Sequence, residues 1–131
     1  MCIRYTSDVQ VTEKDLIVFK LVQKDTSKKD RFFSRYPPSH RITQSGYERK
    51  GYGRSLSYKI GKITTSTMSK TPGLYTYKRY RQLRLRYIES SCILRIKIPA
   101  GTKVRFGVDG QRYHCICTES ILPLRVVKTR R

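Results

Sequence analysis

Between Cys92 and Phe106 the chain reads CILRIKIPAGTKVRF, with Cys92, Leu94, Ile96 and Ile98 on one side of an alternation and Arg95 and Lys97 on the other. A period of two marks a strand that buries one face. The run breaks at Pro99-Ala100-Gly101 and resumes at Lys103, so two strands joined by a turn are expected at the centre of a small sheet. Asp15 to Gln23 (DLIVFKLVQ) is the clearest strand nearer the N-terminus. It is apolar from Leu16 to Val22 except at Lys20, and rich in Val, Ile and Phe.

Weaker patterns fill the rest. Met1 to Val11 reads as an arm with a short strand. Arg31 to Tyr36 forms another strand, stopped by Pro37-Pro38-Ser39. A strand over Arg41 to Gln44 and a loop over Gly46 to Gly53 follow. Ser57 to Thr65 is a strand interrupted at Gly61, as by a bulge. Thr64 to Thr71 reads as a polar loop, Thr71-Pro72-Gly73 as a turn and Leu74 to Tyr77 as a brief strand. Val108-Asp109-Gly110 carries the Asp-Gly signal of a hairpin leading into Gln111 to Thr118. Ile121 to Lys128 is the last strand, and its Pro123 suits a sheet edge.

Lys78 to Ser90 (KRYRQLRLRYIES) fits two patterns. As a helix it gathers Tyr80, Leu83 and Tyr87 on one face. As a strand it sets Leu83, Leu85 and Tyr87 opposite Arg84 and Arg86. Arg, Gln and Leu are good helix formers, so a helix is expected. The fold expected from these elements is α+β, mainly β: a strongly bent antiparallel sheet or open barrel with about one helix. Residues 1–131 read as a single domain, with no internal repeat, no dividing linker and a frayed basic tail over 128–131.

Charge changes the picture. The chain holds 29 Lys and Arg against 9 Asp and Glu, a net charge of +20. From Arg31 to Arg86 there are fourteen basic residues and one acid, Glu48, and eight of the ten tyrosines fall between Tyr36 and Tyr87. Such a field draws polyanions. Arg and Lys neutralise phosphates and Tyr stacks on unpaired bases, so the interleaving points to nucleic acid. The expected contacts are Arg49, Lys50, Arg54, Lys78, Arg79, Arg81, Arg84 and Arg86, with Tyr47 and Tyr52 as stackers.

Catalytic signals are scarce. There are two histidines, His40 and His114, and no paired carboxylates, phosphate-binding glycine loop or nucleophile elbow. Cys92, Cys115, Cys117 and His114 are the residues from which a zinc site would have to be drawn. Cys115 and Cys117 are spaced Cys-x-Cys on a strand, however, which places them on one face and turns His114 to the other. Buried thiols account for the same residues, so no metal and no cofactor are expected. Neither a secretory leader nor an apolar run long enough for a membrane span is read from the sequence, which points to a reducing compartment and free thiols.

Several pieces taken together resemble small uncharacterised proteins encoded by bacteriophages and prophages. They are Met1-Cys2-Ile3, the run Asp15 to Val22, Phe33-Ser34-Arg35-Tyr36, Tyr58-Lys59-Ile60-Gly61-Lys62, Pro72-Gly73-Leu74-Tyr75 and Ile98-Pro99-Ala100-Gly101-Thr102-Lys103. The resemblance implies a viral protein of the host cytoplasm or the virion and transfers no catalytic residue. The turn Ile98 to Thr102 also resembles a core strand of ADP-ribosyltransferases, but that family's paired glutamates have no counterpart, because Glu119 stands alone. The expectation is a non-enzymatic viral protein that binds nucleic acid through its phosphate backbone. The alternatives are a protein-interaction module, either a virion component or an inhibitor of a host defence complex with an acidic partner, and an enzyme whose pocket gathers His40, His114 or Glu119.

Overall fold

A computed structural model describes residues 3–24, 31–34, 57–65, 67–68, 71–80, 83 and 91–129. Among them every regular element is a strand. These are β1 (Arg4–Tyr5), β2 (Gln10–Val11), β3 (Leu16–Lys24), β4 (Arg31–Ser34), β5 (Ser57–Lys59), β6 (Thr64–Thr65), β7 (Thr67–Met68), β8 (Thr71–Pro72), β9 (Leu74–Tyr77), β10 (Ser91–Ile98), β11 (Lys103–Val108), β12 (His114–Thr118) and β13 (Ser120–Thr129). Eleven belong to one antiparallel sheet whose main path runs β1-β11-β12-β9-β3-β10-β13-β6, and β7 and β8 form a separate small hairpin.

The centre lies where the alternation in the sequence is strictest. β10 pairs along its whole length with β3, from Ser91 opposite Gln23 to Ile98 opposite Leu16, and on its other side with β13. Its apolar face, Cys92, Leu94, Ile96 and Ile98, is fully buried with Val18 and Val22 of β3, Phe32, Tyr58, Leu74, Val104, Ile116 and Ile121. Two register shifts in the β10–β13 ladder, after Ile93 and after Arg95, bend β13 around β10.

The sheet cannot be flat, and the reason is the corner at Pro99. β10 and β11 are not hairpin partners, because β12, β9 and β3 lie between them in the sheet. Laid flat, that separation is about 19 Å. A fully extended chain from Ile98 to Lys103 spans at most about 17 Å. The actual connection is tighter still: Gly101 has φ 84°, and the Thr102 hydroxyl donates to the Pro99 carbonyl at 2.6 Å. The sheet therefore curls into a half-barrel that brings its β10 and β11 regions together around the core. Thr12 ties the corner from outside: its hydroxyl donates to the Pro99 carbonyl at 3.0 Å, and its carbonyl accepts from Gly101 N–H at 2.8 Å. Asp15 accepts from Ala100 N–H at 2.8 Å. That bond, with Lys97 beside it, holds the Asp15 carboxyl below the usual carboxylate range.

The expected helix is a correction. No helix occurs among the described residues, and the fold is mainly β without it. At the start of the stretch expected to be helical, Lys78 N–H meets the His114 carbonyl at 3.5 Å, and one turn closes between Leu83 N–H and the Tyr80 carbonyl at 2.9 Å. Helix propensities differ by only tenths of a kcal/mol per residue, and tertiary contacts override them. The residues 81–82 and 84–90 lie outside the described part. So do the strand and loop expected over 41–53.

Smaller corrections concern the segments beside β9. The stretch expected as a polar loop and turn holds β6, β7 and β8. Pro123 does have an edge position: it pairs with Ile96 on one side, and on the other β6 covers β13 only at Ser120 and Ile121. No strand faces Pro123 there among the described residues, so its missing N–H costs no ladder bond, and its carbonyl accepts from Gly61 N–H at 2.9 Å. The Asp-Gly hairpin is present, organised by the Asp109 side chain. Its carboxylate accepts from the Tyr77 hydroxyl at 2.9 Å, from Gln111 N–H at 2.8 Å and from Tyr113 N–H at 2.9 Å. The left-handed residue of this turn is Arg112, at φ 66°. Lys128 and Thr129, in the tail expected to fray, pair with Ile93 and Cys92.

Gly107 is where β1 crosses closest to β11. A methyl group there would lie 2.7 Å from Cγ2 of Ile3 and 2.9 Å from the Arg4 carbonyl oxygen. Gly107→Ala is therefore expected to lower stability by about 1–3 kcal/mol, read as a lower urea midpoint at unchanged slope. Gly110→Ala, which meets nothing within 4 Å, is the matched control.

Candidate functional site

Residues directly opposite each other in an antiparallel ladder share a face. On the outer face of the half-barrel, opposite the core, this rule lines up residues from four strands. Arg95 of β10 lies opposite Arg125 of β13 on one side and Phe19 of β3 on the other. Phe19 in turn lies opposite Tyr77 of β9. Where the chain leaves β9, the Tyr80 ring comes back to Phe19 edge-on, with ring centres 5.7 Å apart. Tyr80 remains 43% exposed, and Lys78 and Arg79 beside it are exposed.

Arg95 and Arg125 are like charges in register, as Arg31 and Lys59 are between β4 and β5. Like charges directly opposite on adjacent strands cost about 0.2–1 kcal/mol. Neither the Arg95 nor the Arg125 guanidinium has a hydrogen-bond or ionic partner among the described residues. The single ion pair between described residues is Lys97 to Asp15 at 3.3 Å. An anion lying across both arginines would turn this repulsion into attraction. The patch thus combines two uncompensated guanidiniums, two further exposed cations and an exposed aromatic ring.

Of the residues expected from the sequence, Lys78 and Arg79 belong to this patch. Tyr47, Arg49, Lys50, Tyr52, Arg54, Arg81, Arg84 and Arg86 lie outside the described residues. Arg95, Arg125, Phe19 and Tyr80 were not anticipated. Alternation does place Arg95 on the outer face, but its facing residue depends on how β10 pairs with β13, which one strand's pattern does not contain.

The four potential zinc ligands do not converge. Cys92 lies in the core on β10, whereas Cys115 and Cys117 are buried on β12 facing the other way from Ile116, and His114 is exposed. No group of three metal-ligating side chains gathers among the described residues. Burial pushes the thiols up, to about 11 for Cys92 and Cys115 and about 12 for Cys117. They are therefore packed as neutral groups. His114 opens β12 and Glu119 follows its last residue, about 16 Å of chain apart, and His40 lies outside the described residues. No helix among the described residues is long and apolar enough to cross a membrane.

Lys20 is a buried titratable group. It sits on the core face of β3, 6% exposed. Its ammonium donates to the Tyr75 carbonyl at 2.6 Å and lies 5.7 Å from the centre of the Tyr58 ring. Burial lowers its pKa from 10.5 to about 8. The bond has a clear structural use. β3 and β9 share only the Phe19–Tyr77 pair, and Lys20 reaches across to β9 where the ladder runs out.

Comparisons with protein families, with curated proteins and with solved structures find no match.

Lys20 makes stability depend on pH in a defined sense. Below about pH 8 the amine is protonated in both the folded and the unfolded chain and contributes no slope. Between about 8 and 10.5 the unfolded chain keeps a proton that the folded chain has shed, so this contribution rises with pH. Buried thiols act in the opposite direction above their ordinary range, so the test is a difference. The stability of the parent chain minus that of Lys20→Met, from urea melts, should increase from pH 7.5 to pH 10. The thiols themselves should resist alkylation at pH 8 in the folded chain and react on addition of denaturant.

Proposed function

We propose that the protein is a non-enzymatic nucleic-acid-binding protein that holds phosphates on the outer face of its half-barrel, across β13, β10 and the end of β9. The observation that carries this reading is the Arg95–Arg125 pair, two guanidiniums set directly opposite each other without an acid between them. A cross-strand pairing of this kind works against folding and favours an anion that bridges it. Arg is suited to the task because its planar fork meets phosphate oxygens two at a time.

Three further features support it. The chain has only 9 acids for 29 basic residues, so most cations have no internal partner to find. Phe19 and Tyr80 place aromatic surface beside the arginines, as single-stranded nucleic acid requires. The expected contact residues Arg81, Arg84 and Arg86 follow directly on Tyr80 in the sequence, and Arg49, Lys50, Arg54, Tyr47 and Tyr52 would extend the same charge. A viral origin rests on the sequence resemblance alone.

A charge reversal at this pair has opposite effects on folding and on binding. Arg125→Glu replaces a repulsive pair with an attractive one and is expected to raise stability by about 0.2–1 kcal/mol. The same change should weaken binding to a labelled oligonucleotide and lower the slope of log affinity against log salt by about 0.7–0.9 for the lost phosphate contact. Fluorescence anisotropy at several salt concentrations, alongside a thermal melt, checks both signs. Flat, weak binding of the parent chain at low salt would overturn the proposed function. Co-purification with a discrete protein that survives nuclease treatment would favour the protein-interaction module instead.

A further inference from the structure

β9 stops short. It spans four residues, Leu74 to Tyr77, and meets β3 only at Phe19. Beyond that point, Leu16 to Val18 keep their β10 partners on one side and have no strand on the other among the described residues. Their backbone groups on that open side make no hydrogen bond among the described residues. The sheet parts there, and a cleft of about 290 Å³ fills the seam between β3 and the β11–β12 hairpin. Its walls are apolar: Leu16, Val18, Phe106 and Ile116. Lys78 and His114, both exposed, also line it, and Ile17, 40% exposed, stands on the β3 side.

We propose that this seam is a base-binding slot, which takes one unpaired nucleobase of a single-stranded nucleic acid while neighbouring phosphates lie on Lys78 and Arg79. The inference rests on the nucleic-acid reading above and adds to it a preference for single strands over duplex. A nucleobase is a planar, largely apolar ring with hydrogen-bond donors and acceptors along one edge. The seam offers the complement: apolar walls and an unpaired strand edge, whose N–H and C=O groups supply both kinds of partner. Its volume lies at the small end of ligand sites, which suits one ring system and excludes a double helix. Charge selects this occupant over a peptide strand, the other ligand that an open edge can pair with. The cations at the seam lead on to the uncompensated arginines of the outer face, and a neutral peptide would leave them unmet.

Two measurements on the full chain test the slot. In the first, adenosine and uridine 5′-monophosphates are titrated into ¹⁵N-labelled protein, with inorganic phosphate as the control. Amide shifts at Leu16 to Val18 and at His114 to Ile116 with the nucleotides, and not with phosphate, are expected. Shifts of these amides with phosphate alone, or with a strand-forming neutral peptide and not with nucleotides, would overturn the proposal.

In the second, a single-stranded 20-mer and the duplex of the same sequence are compared by anisotropy at matched salt. The single strand is expected to bind about tenfold tighter, the worth of one stacked base. Ile17→Trp, which fills the seam from its exposed side, should bring the two affinities to within about twofold without changing the salt slope. Equal affinities with a steep salt slope in the parent chain would overturn the slot and leave the phosphate-binding reading standing. Nucleotide shifts at the seam without salt-dependent binding of either polymer would overturn the phosphate reading and leave the slot. The amide titration uses the unsubstituted chain, so the proposal stays open to refutation even if the tryptophan variant folds poorly.

Discussion

The short connection from Ile98 to Lys103 constrains the whole molecule. Its two ends belong to strands that are separated by three others in the sheet, and the chain between them is too short to cross a flat sheet. Curling is thus a geometric necessity, imposed before any side-chain preference is considered. It also sorts the faces. The alternating apolar side of β10 turns inward, where it meets Val18, Val104, Ile116 and Ile121, and Arg95 and Lys97 turn outward. Thr12 and Asp15 lock the corner from the segment before β3, so the two runs that flank Pro99 are held to the strand that pairs with the first of them.

How β9 ends links three features that otherwise look separate. Because β9 has only four residues, the ladder between β3 and the β12 side of the sheet is nearly absent. Lys20 compensates on the core face with a side-chain bond to the Tyr75 carbonyl. A buried ammonium is costly unless it is hydrogen-bonded, and the Tyr75 carbonyl supplies that bond here. On the outer face, Tyr80 returns to Phe19 and anchors the departing chain. Past Phe19, along Leu16 to Val18, the seam stays open.

Much of this was legible in the sequence, and the boundary has a physical cause. β3, β10 and β11 were readable because each has one face in the core, and a half-buried strand writes its alternation into the residues. The Asp109 turn was readable because its chemistry is local. β1, β2, β6, β7 and β8 hold two residues each, too few for any period to show. No α-helix occurs among the described residues of Lys78 to Ser90; propensity decided that expectation, and propensity is a small term. The Arg95–Arg125 pair was invisible for another reason: facing residues are fixed by register, and the register between β10 and β13 shifts twice.

That pair also bears on why a +20 chain should fold at all. Half-buried strands have two kinds of position, and the core claims one of them. Most of the strands' cations take outward positions, Lys20 on the core face being an exception, and in a curled sheet the outward positions sit on its longer, outer side and so are spread apart. Curling relieves self-repulsion among most outward cations, but it cannot relieve two arginines in register on neighbouring strands, whose separation is set by the ladder itself. A polyanion bound at such a pair would remove a cost that the fold does not remove by bending.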